Sequence, residues 1–446
     1  MNQIESVKWP EFKRRFSIIF GVSKLGASIM MGLADFALAT LYIVGYQLNP
    51  FLVGSVMSIG KMVIAASQFF FGWISDAKYT HHWGRRKPYF IILSPILAIA
   101  FFFLLLPTLI IDIHDVSGLA TWFLIWIIIF NITYGVTSPY QSWMAEQFRV
   151  DKRPIAVQDQ NIFGFIGTAI MAVFSMIVLT GFNEKIQVNP QVIPPEFLYS
   201  VFAFGIITVV LFYMLTFLMP TEPHFKIQPN MFKNLKIILK NKNYILVCIM
   251  QGTASIAWIQ VGSLVLLYLT VVLHFESTFY IVTAACFVLG IMVFLYIWRK
   301  GMQKIGKKRS LMYMYIVGIL ILPFSLIGLI PMASTFLFGL LFILGLAGAM
   351  AGWFMITGVM YPDIAEDDEK ITGELRAGIY IGFPSITLNL FQAVGLFLMG
   401  VILGLPQNLG YIVWGPICSV ILLVSYLYSK KFIKLDFDWE KTLNIK

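Results

Sequence analysis

GWISDAKYTHHWGRRKPYF, residues Gly72–Phe90, sets six cationic or histidine side chains and one aspartate between two long apolar runs. The run before it, from Phe51, carries Lys61 as its single charge, and the run that begins at Pro88 carries none before Asp112. Such a patch is an ordinary solvated loop in a soluble protein. Its meaning here depends on what the flanking runs do.

The whole chain answers that. Of 446 residues, 59% are hydrophobic and only 12% charged, where soluble proteins carry about 25%. Apolar runs recur along the sequence, and many pass the ~18 residues that a membrane-spanning helix needs. The chain therefore reads as a polytopic membrane protein. Its net charge of +10 does not point to nucleic acid, because Lys and Arg gather in short loops between apolar segments, as cytoplasmic loops do. Cys248, Cys286 and Cys418 lie inside apolar segments without ligand spacing and read as small buried hydrophobes. No metal, disulfide or cofactor is expected. The first twenty residues are polar, with Lys13, Arg14 and Arg15, and show no signal-peptide core. No Ser/His, Cys/His or His-rich grouping falls at membrane depth, so an enzyme is not expected.

Hydropathy predicts twelve helices in an all-α fold, near 22–46, 51–75, 88–108, 119–147, 155–182, 198–219, 243–272, 276–298, 309–330, 333–361, 375–404 and 410–430. The amino terminus, the loops 76–87, 148–154 and 299–309, the segment 221–243 and the carboxyl tail are rich in Lys and Arg. The alternate loops are nearly free of them, Lys185 being the exception. Both termini are accordingly placed in the cytoplasm of a cell (inner) membrane protein. The segment 221–243 is the longest of the basic connections. It divides the chain into a six-helix half, 1–220, and a second, 244–446. GRRK at 84–87 returns as GKKR at 306–309, 222 positions later, close to half the chain. That offset favours two parallel repeats, a known transporter plan.

Gly72–Phe90 thus becomes the cytoplasmic loop between the second and third helices. Gly72, Asp76, Gly84, Arg85 and Arg86 resemble the signature loop of the major facilitator superfamily, with a longer spacer than its commonest form. Gly72 allows close helix packing, Gly84 a tight turn, and the two arginines can fork onto carboxylates. Asp76 ends its helix and suits the amino terminus of a neighbour, the eleventh helix being the favoured one. A clamp of this kind can hold the cytoplasmic side shut in one state, and Glu146 and Arg149 could answer the arginines. A second passage, YPDIAEDDEKITGELRAGIYIGF from Tyr361, is similar to the pattern of the glycoside–pentoside–hexuronide:cation symporters, which include melibiose carriers and have plant sucrose–proton symporters as relatives. Asp363, Asp368, Glu369, Thr372, Gly373, Arg376, Gly378 and Tyr380 occupy the matching places. The resemblance implies alternating access between two halves and a sugar or glycoside substrate. It also adds Asp363, Asp368 and Arg376 to the cytoplasmic gate.

Ionisable groups at bilayer depth are expensive and are functional candidates. Asp35 lies about 12 residues, or ~18 Å, above the expected start of the first helix, and Lys61 about 14 residues, or ~21 Å, above the end of the second. Similar depth makes an ion pair possible. The resemblance gives Asp35 a sugar-binding role and Lys61 the place of a basic residue of that family. A permanent pair that locks two helices is the plain alternative. Where sodium-coupled members carry two aspartates on the second helix, this chain has Ile64 and Gln68, and Thr137 lies near the place of a fourth-helix aspartate. Proton coupling through Asp35, or uniport, fits these positions better than sodium. Asn131, Gln141, Gln251, Trp258, Gln260, Trp353, Asn389 and Gln392 form a set of amides and aromatics suited to a neutral polyol, though each alone reads more simply as interhelical glue. Gln160 and Asn161 lie nearer the cytoplasmic end and belong with gating.

The sequence therefore leads to a monomeric transporter that meets a small solute and membrane lipids. Lysolipid or other small-solute transport, uncoupled uniport and a non-transporting receptor are the rival readings.

Overall fold

The computed structural model describes residues 13–77, 79–148, 152–189, 192–222, 236, 239–275, 277–330, 335–372, 380, 383–406 and 409–437. Among them, twelve helices are long and apolar enough to cross a membrane: α1 Arg14–Phe36, α2 Pro50–Ser75, α3 Lys87–Leu105, α4 Val116–Met144, α5 Ile155–Ile186, α6 Pro195–Leu218, α7 Lys242–Val272, α8 Phe279–Ile305, α9 Lys307–Leu329, α10 Thr335–Ala365, α11 Pro384–Leu403 and α12 Gly410–Phe432. Helices are what such sequences must form, because hydrocarbon offers a backbone N–H or C=O no partner outside its own segment.

The chain divides into two compact units, residues 1–231 and 232–446. In unit 1, α1 packs on α5 and α6, α3 on α4 and α6, and α2 on α4. In unit 2, α7 packs on α11 and α12, α9 on α10 and α12, and α8 on α10. Each pairing of the first unit recurs six helices later. Small residues permit the closest approaches. A Cβ on Gly167 of α5 would lie 2.7 Å from the Leu25 carbonyl oxygen of α1, so only glycine lets these two backbones meet.

The turns repeat as well. The first helix of each unit closes on a wider π-turn, Leu41–Gly45 and Tyr268–Val272. A left-handed residue follows in each, Gln47 at φ 54° and His274 at φ 49°. The returning N–H groups of Leu48 and Phe275 then reach the Tyr42 and Leu269 carbonyls, at 2.9 and 3.1 Å. At the other end, where the basic loops lie, the second and third helices of each unit meet at a left-handed glycine: Gly84 at φ 68° and Gly306 at φ 87°.

Several helices outrun their apolar stretches. α1 begins at Arg14 rather than near 22, because Arg14 has a partner in Asp159 that holds its first turns. α8 runs through Arg299, Lys300 and Lys304 to Ile305, leaving Gly306 as most of the expected loop. Basic residues are good helix formers and suit a helix carboxyl end. The helix of α10 continues through Pro362 as far as Thr372, so Asp363 and Asp368 are helical rather than in a loop. The eleventh helix, expected from 375, is described from Pro384; residues 373–379 lie outside the described residues.

Candidate functional site

Asp35 on α1 and Lys61 on α2 meet at membrane depth. Lys61 Nζ donates to Asp35 Oδ1 at 2.7 Å and lies 3.7 Å from Met31 Sδ. The lysine side chain is 8% exposed and the aspartate side chain 27%. Each charge reduces the cost of the other, yet the pair is lopsided. The lysine is the more enclosed partner, and the aspartate side chain keeps the greater exposure.

Other polar groups of unit 1 tie its helices together. Asn131 on α4 donates to its own helix at the Ile127 carbonyl, 2.8 Å away, and its backbone oxygen accepts from Ser67 on α2 at 2.8 Å. Gln68 donates to Thr137 at 3.1 Å, just past the break in α4 at Gly135 and Val136. Gln160 on α5 donates to Gln141 on α4 at 3.3 Å. Tyr140 closes the same corner through the Phe20 carbonyl of α1 at 2.6 Å. The Gln68 and Gln141 side chains thus bond across helices, the Asn131 side chain bonds within α4, and Asn161 is exposed on α5.

Unit 2 presents different chemistry. Away from their charged ends, α7–α12 contain no Asp, Glu, Lys or Arg. Trp258 on α7 stacks on Trp353 of α10, with centroids 6.0 Å apart and planes 27° apart. The Trp258 indole N–H is buried and finds no acceptor among the described residues, and neither does the fully buried amide of Gln260. The Tyr361 hydroxyl donates to Gln251. Asn389 donates to the Ser385 carbonyl of its own helix at 2.7 Å, and Gln392 is half-buried on α11.

The opening loop is a staple inside unit 1. At Gly84 a Cβ would run into the Glu222 carboxylate, which accepts the Arg85 backbone N–H and, at 2.9 Å, the Trp143 indole N–H. The Arg85 guanidinium lies over the Tyr79 ring at 5.6 Å. Arg86 is buried. It forks onto both oxygens of Glu146, Nε at 3.2 Å, and reaches Ser75 Oγ at 2.5 Å. Unit 2 repeats the device. Asp436 accepts the Lys307 backbone N–H at 2.8 Å, and Lys307 Nζ reaches Asp363 at 2.5 Å. Asp368 is half-buried on the extension of α10. Arg149, Arg376 and the side chain of Asp76 lie outside the described residues.

Glu222, Asp436, the Arg14–Asp159 pair and Lys24 escape a reading of the sequence. Glu222 and Asp436 share a signal, an acidic residue a few positions past the sixth helix of each half. Lys24 is hidden by a first helix begun at 22, which places it at the interface instead of ten residues inside α1.

Residues 19–412 match a family model described as MFS/sugar transport protein. No individual curated protein matches the chain. Among solved structures, a D-xylose–proton symporter superposes with a TM-score of 0.70 at 14% identity, over 95% of this chain and 99% of that one. The nucleoside transporter NupG gives 0.63 at 13%, over 97% and 100%. A bacterial homolog of the human lysosomal transporter Spinster gives 0.63 at 13%, over 95% and 97%. At such identities the likeness establishes the fold.

Proposed function

Because this chain belongs to the MFS/sugar transport protein family, and is an integral membrane transporter rather than an enzyme, we propose that it carries a sugar or glycoside by alternating access, coupled to a proton at Asp35. The observation that carries this reading is the lopsided Asp35–Lys61 pair. One carboxylate serves three competing partners: the Lys61 ammonium, a proton and a solute hydroxyl. A proton that neutralises Asp35 releases Lys61, and a hydroxyl that accepts from Lys61 or donates to Asp35 changes the proton's affinity. Coupling is this reciprocity between two ligands of one group.

Sodium fits less well. Positions 64 and 68 offer Ile64, which has no ligand atom, and the single amide oxygen of Gln68, whose nitrogen donates to Thr137, whereas a hard cation takes several oxygens. The stacked indoles of unit 2, with the free N–H of Trp258, supply the flat apolar face and the donor that a neutral ring with hydroxyls needs. The basic ends of the helices face the cytoplasm of the cell membrane, and the carrier works as a monomer.

Counterflow of a labelled sugar panel into proteoliposomes tests the substrate class. Exchange of at least one sugar or glycoside is expected. If no sugar moves while a lysolipid does, the sugar reading fails.

A further inference from the structure

The third and sixth helices of unit 1 are tied together at one end and leave an opening at the other. Near the basic loops, Lys87 Nζ donates to the Met219 carbonyl at 2.8 Å, and the Tyr213 hydroxyl of α6 donates to the Ile91 carbonyl of α3 at 3.3 Å. Ile91 has that oxygen to offer because Pro95, one turn on and inside the helix, lacks the N–H that would bond it. A proline so placed also bends its helix. Beyond it, toward the end opposite the basic loops, a groove of about 400 Å³ lies between α3 and α6.

Two small residues form its floor: a Cβ on Gly205 would lie 3.5 Å from the Ala98 Cβ, an ordinary contact. Ile99, Phe102 and Phe103 line one side, and Phe202, Ile206 and Val210 the other. No lining side chain carries a hydrogen-bonding atom. Thr208 of α6 turns instead to the Gly26 carbonyl of α1, at 3.4 Å. The matching seam of unit 2, between α9 and α12, is closed at the same end. Ser325 donates to the Ile412 carbonyl at 2.7 Å, Ser419 donates to the Ile319 carbonyl at 2.8 Å, and a Cβ on Gly415 would lie 2.2 Å from the Leu322 carbonyl oxygen. The shared frame therefore does not require a groove here.

Its dimensions point to what fills it. The lining runs from Pro95 to Phe103 on α3 and from Val201 to Val210 on α6, about 12–14 Å at 1.5 Å per residue. That is close to half of the ~30 Å hydrocarbon core. The groove begins just short of the end of α3 at Leu105 and reaches the middle of the span. Water gains nothing from a site without polar partners, and an empty groove forfeits dispersion contacts along both sides. A flexible apolar chain one leaflet long satisfies every side chain that lines it.

We infer that this groove holds one acyl chain of a bilayer phospholipid, from the leaflet opposite the basic loops, as a fixed part of unit 1. Packing alone holds it, because lipid tails are as apolar as the walls. Selection therefore falls on the chain and not on the headgroup, whichever solute the transporter carries.

The test uses the full chain purified in detergent, as wild type, Gly205→Leu, Ala98→Leu and Ala203→Leu. The first two variants fill the groove from its floor, while Ala203 is exposed on α6 outside it. Native mass spectrometry is expected to find one tightly retained phospholipid on wild type and on Ala203→Leu, and to find it lost from both filled variants. In wild type stripped of lipid, added phospholipid should raise the thermal midpoint more as its chains lengthen toward the depth of the groove. The increments should be the same for phosphatidylethanolamine and for the acidic phosphatidylglycerol, and the filled variants should lose this dependence. Retention of equal numbers of lipids by all four proteins, or of detergent only, overturns the inference. So does a midpoint that follows the headgroup and not the chain, which would assign the lipid to the basic helix ends. If the filled variants do not fold, the chain-length and headgroup series on wild type decides alone.

Discussion

The two six-helix units share a frame and differ in what the frame holds. Their helices pair in the same order, their first helices end in the same π-turn followed by a left-handed residue, and their second and third helices join at a left-handed glycine. Unit 1 then sets the Asp35–Lys61 pair among its helices, while unit 2 sets stacked indoles and amides there. Backbone devices that close turns are preserved, and the membrane-depth chemistry is not. The proposed function accordingly divides the labour: unit 1 handles charge and protons, and unit 2 handles flat neutral surface.

The staples provide the largest contrast to break. Arg86 is buried with Glu146, whereas Lys307 and Asp363 are 24% and 17% exposed. Removing one partner of a buried pair costs about 3–5 kcal/mol, and of a partly exposed one about 1 kcal/mol. Glu146→Ala is therefore expected to lower the thermal midpoint in detergent far more than Asp363→Ala. Equal losses would mean that the two staples differ in geometry only.

Next in size is the indole stack. Trp258→Leu removes the ring face and the unpaired N–H, and should raise the KM of the carried solute about tenfold, which is about 1.4 kcal/mol. Its response to a pH gradient should be unchanged. A variant that lost the pH response instead would place coupling in unit 2 and dissolve the division of labour.

The smallest effect separates two helix caps. Asp115 caps α4 by accepting from the Gly118 N–H at 2.9 Å and the Ser117 hydroxyl at 2.8 Å, and these bonds hold its carboxyl below the usual range. A depressed carboxyl stabilises the fold above its unfolded pKa, and that contribution is lost as pH falls through the folded value. Asn241, which caps α7 through the Tyr244 N–H at 3.1 Å, has no such titration. Once the intrinsic pH dependence of exchange is divided out, acidification should therefore lower the protection factor of the Gly118 amide and leave that of Tyr244 unmoved. A fall in both protection factors would point to general loosening.

Much of this frame is legible in the sequence because bilayer thickness fixes helix length and basic loops mark one face. The GRRK and GKKR repeats could be seen for the same reason, as the glycine and the cations stand out against apolar runs. Helix ends are harder to read. Composition cannot reveal that Asp159 captures Arg14 and extends α1 toward its amino end. The staple acids Glu222 and Asp436 are equally hidden, because each is distant in sequence from the turn it closes. Asp35 and Lys61 could be paired by depth alone, but their unequal exposure belongs to packing.

The central claim is that the Asp35 carboxylate couples the proton to the solute. The direct test compares wild type and Asp35→Asn in proteoliposomes, measuring exchange at equal pH and accumulation under an inward proton gradient. Wild type should do both, and Asp35→Asn should exchange without accumulating. Accumulation by Asp35→Asn at the wild-type level would contradict that claim.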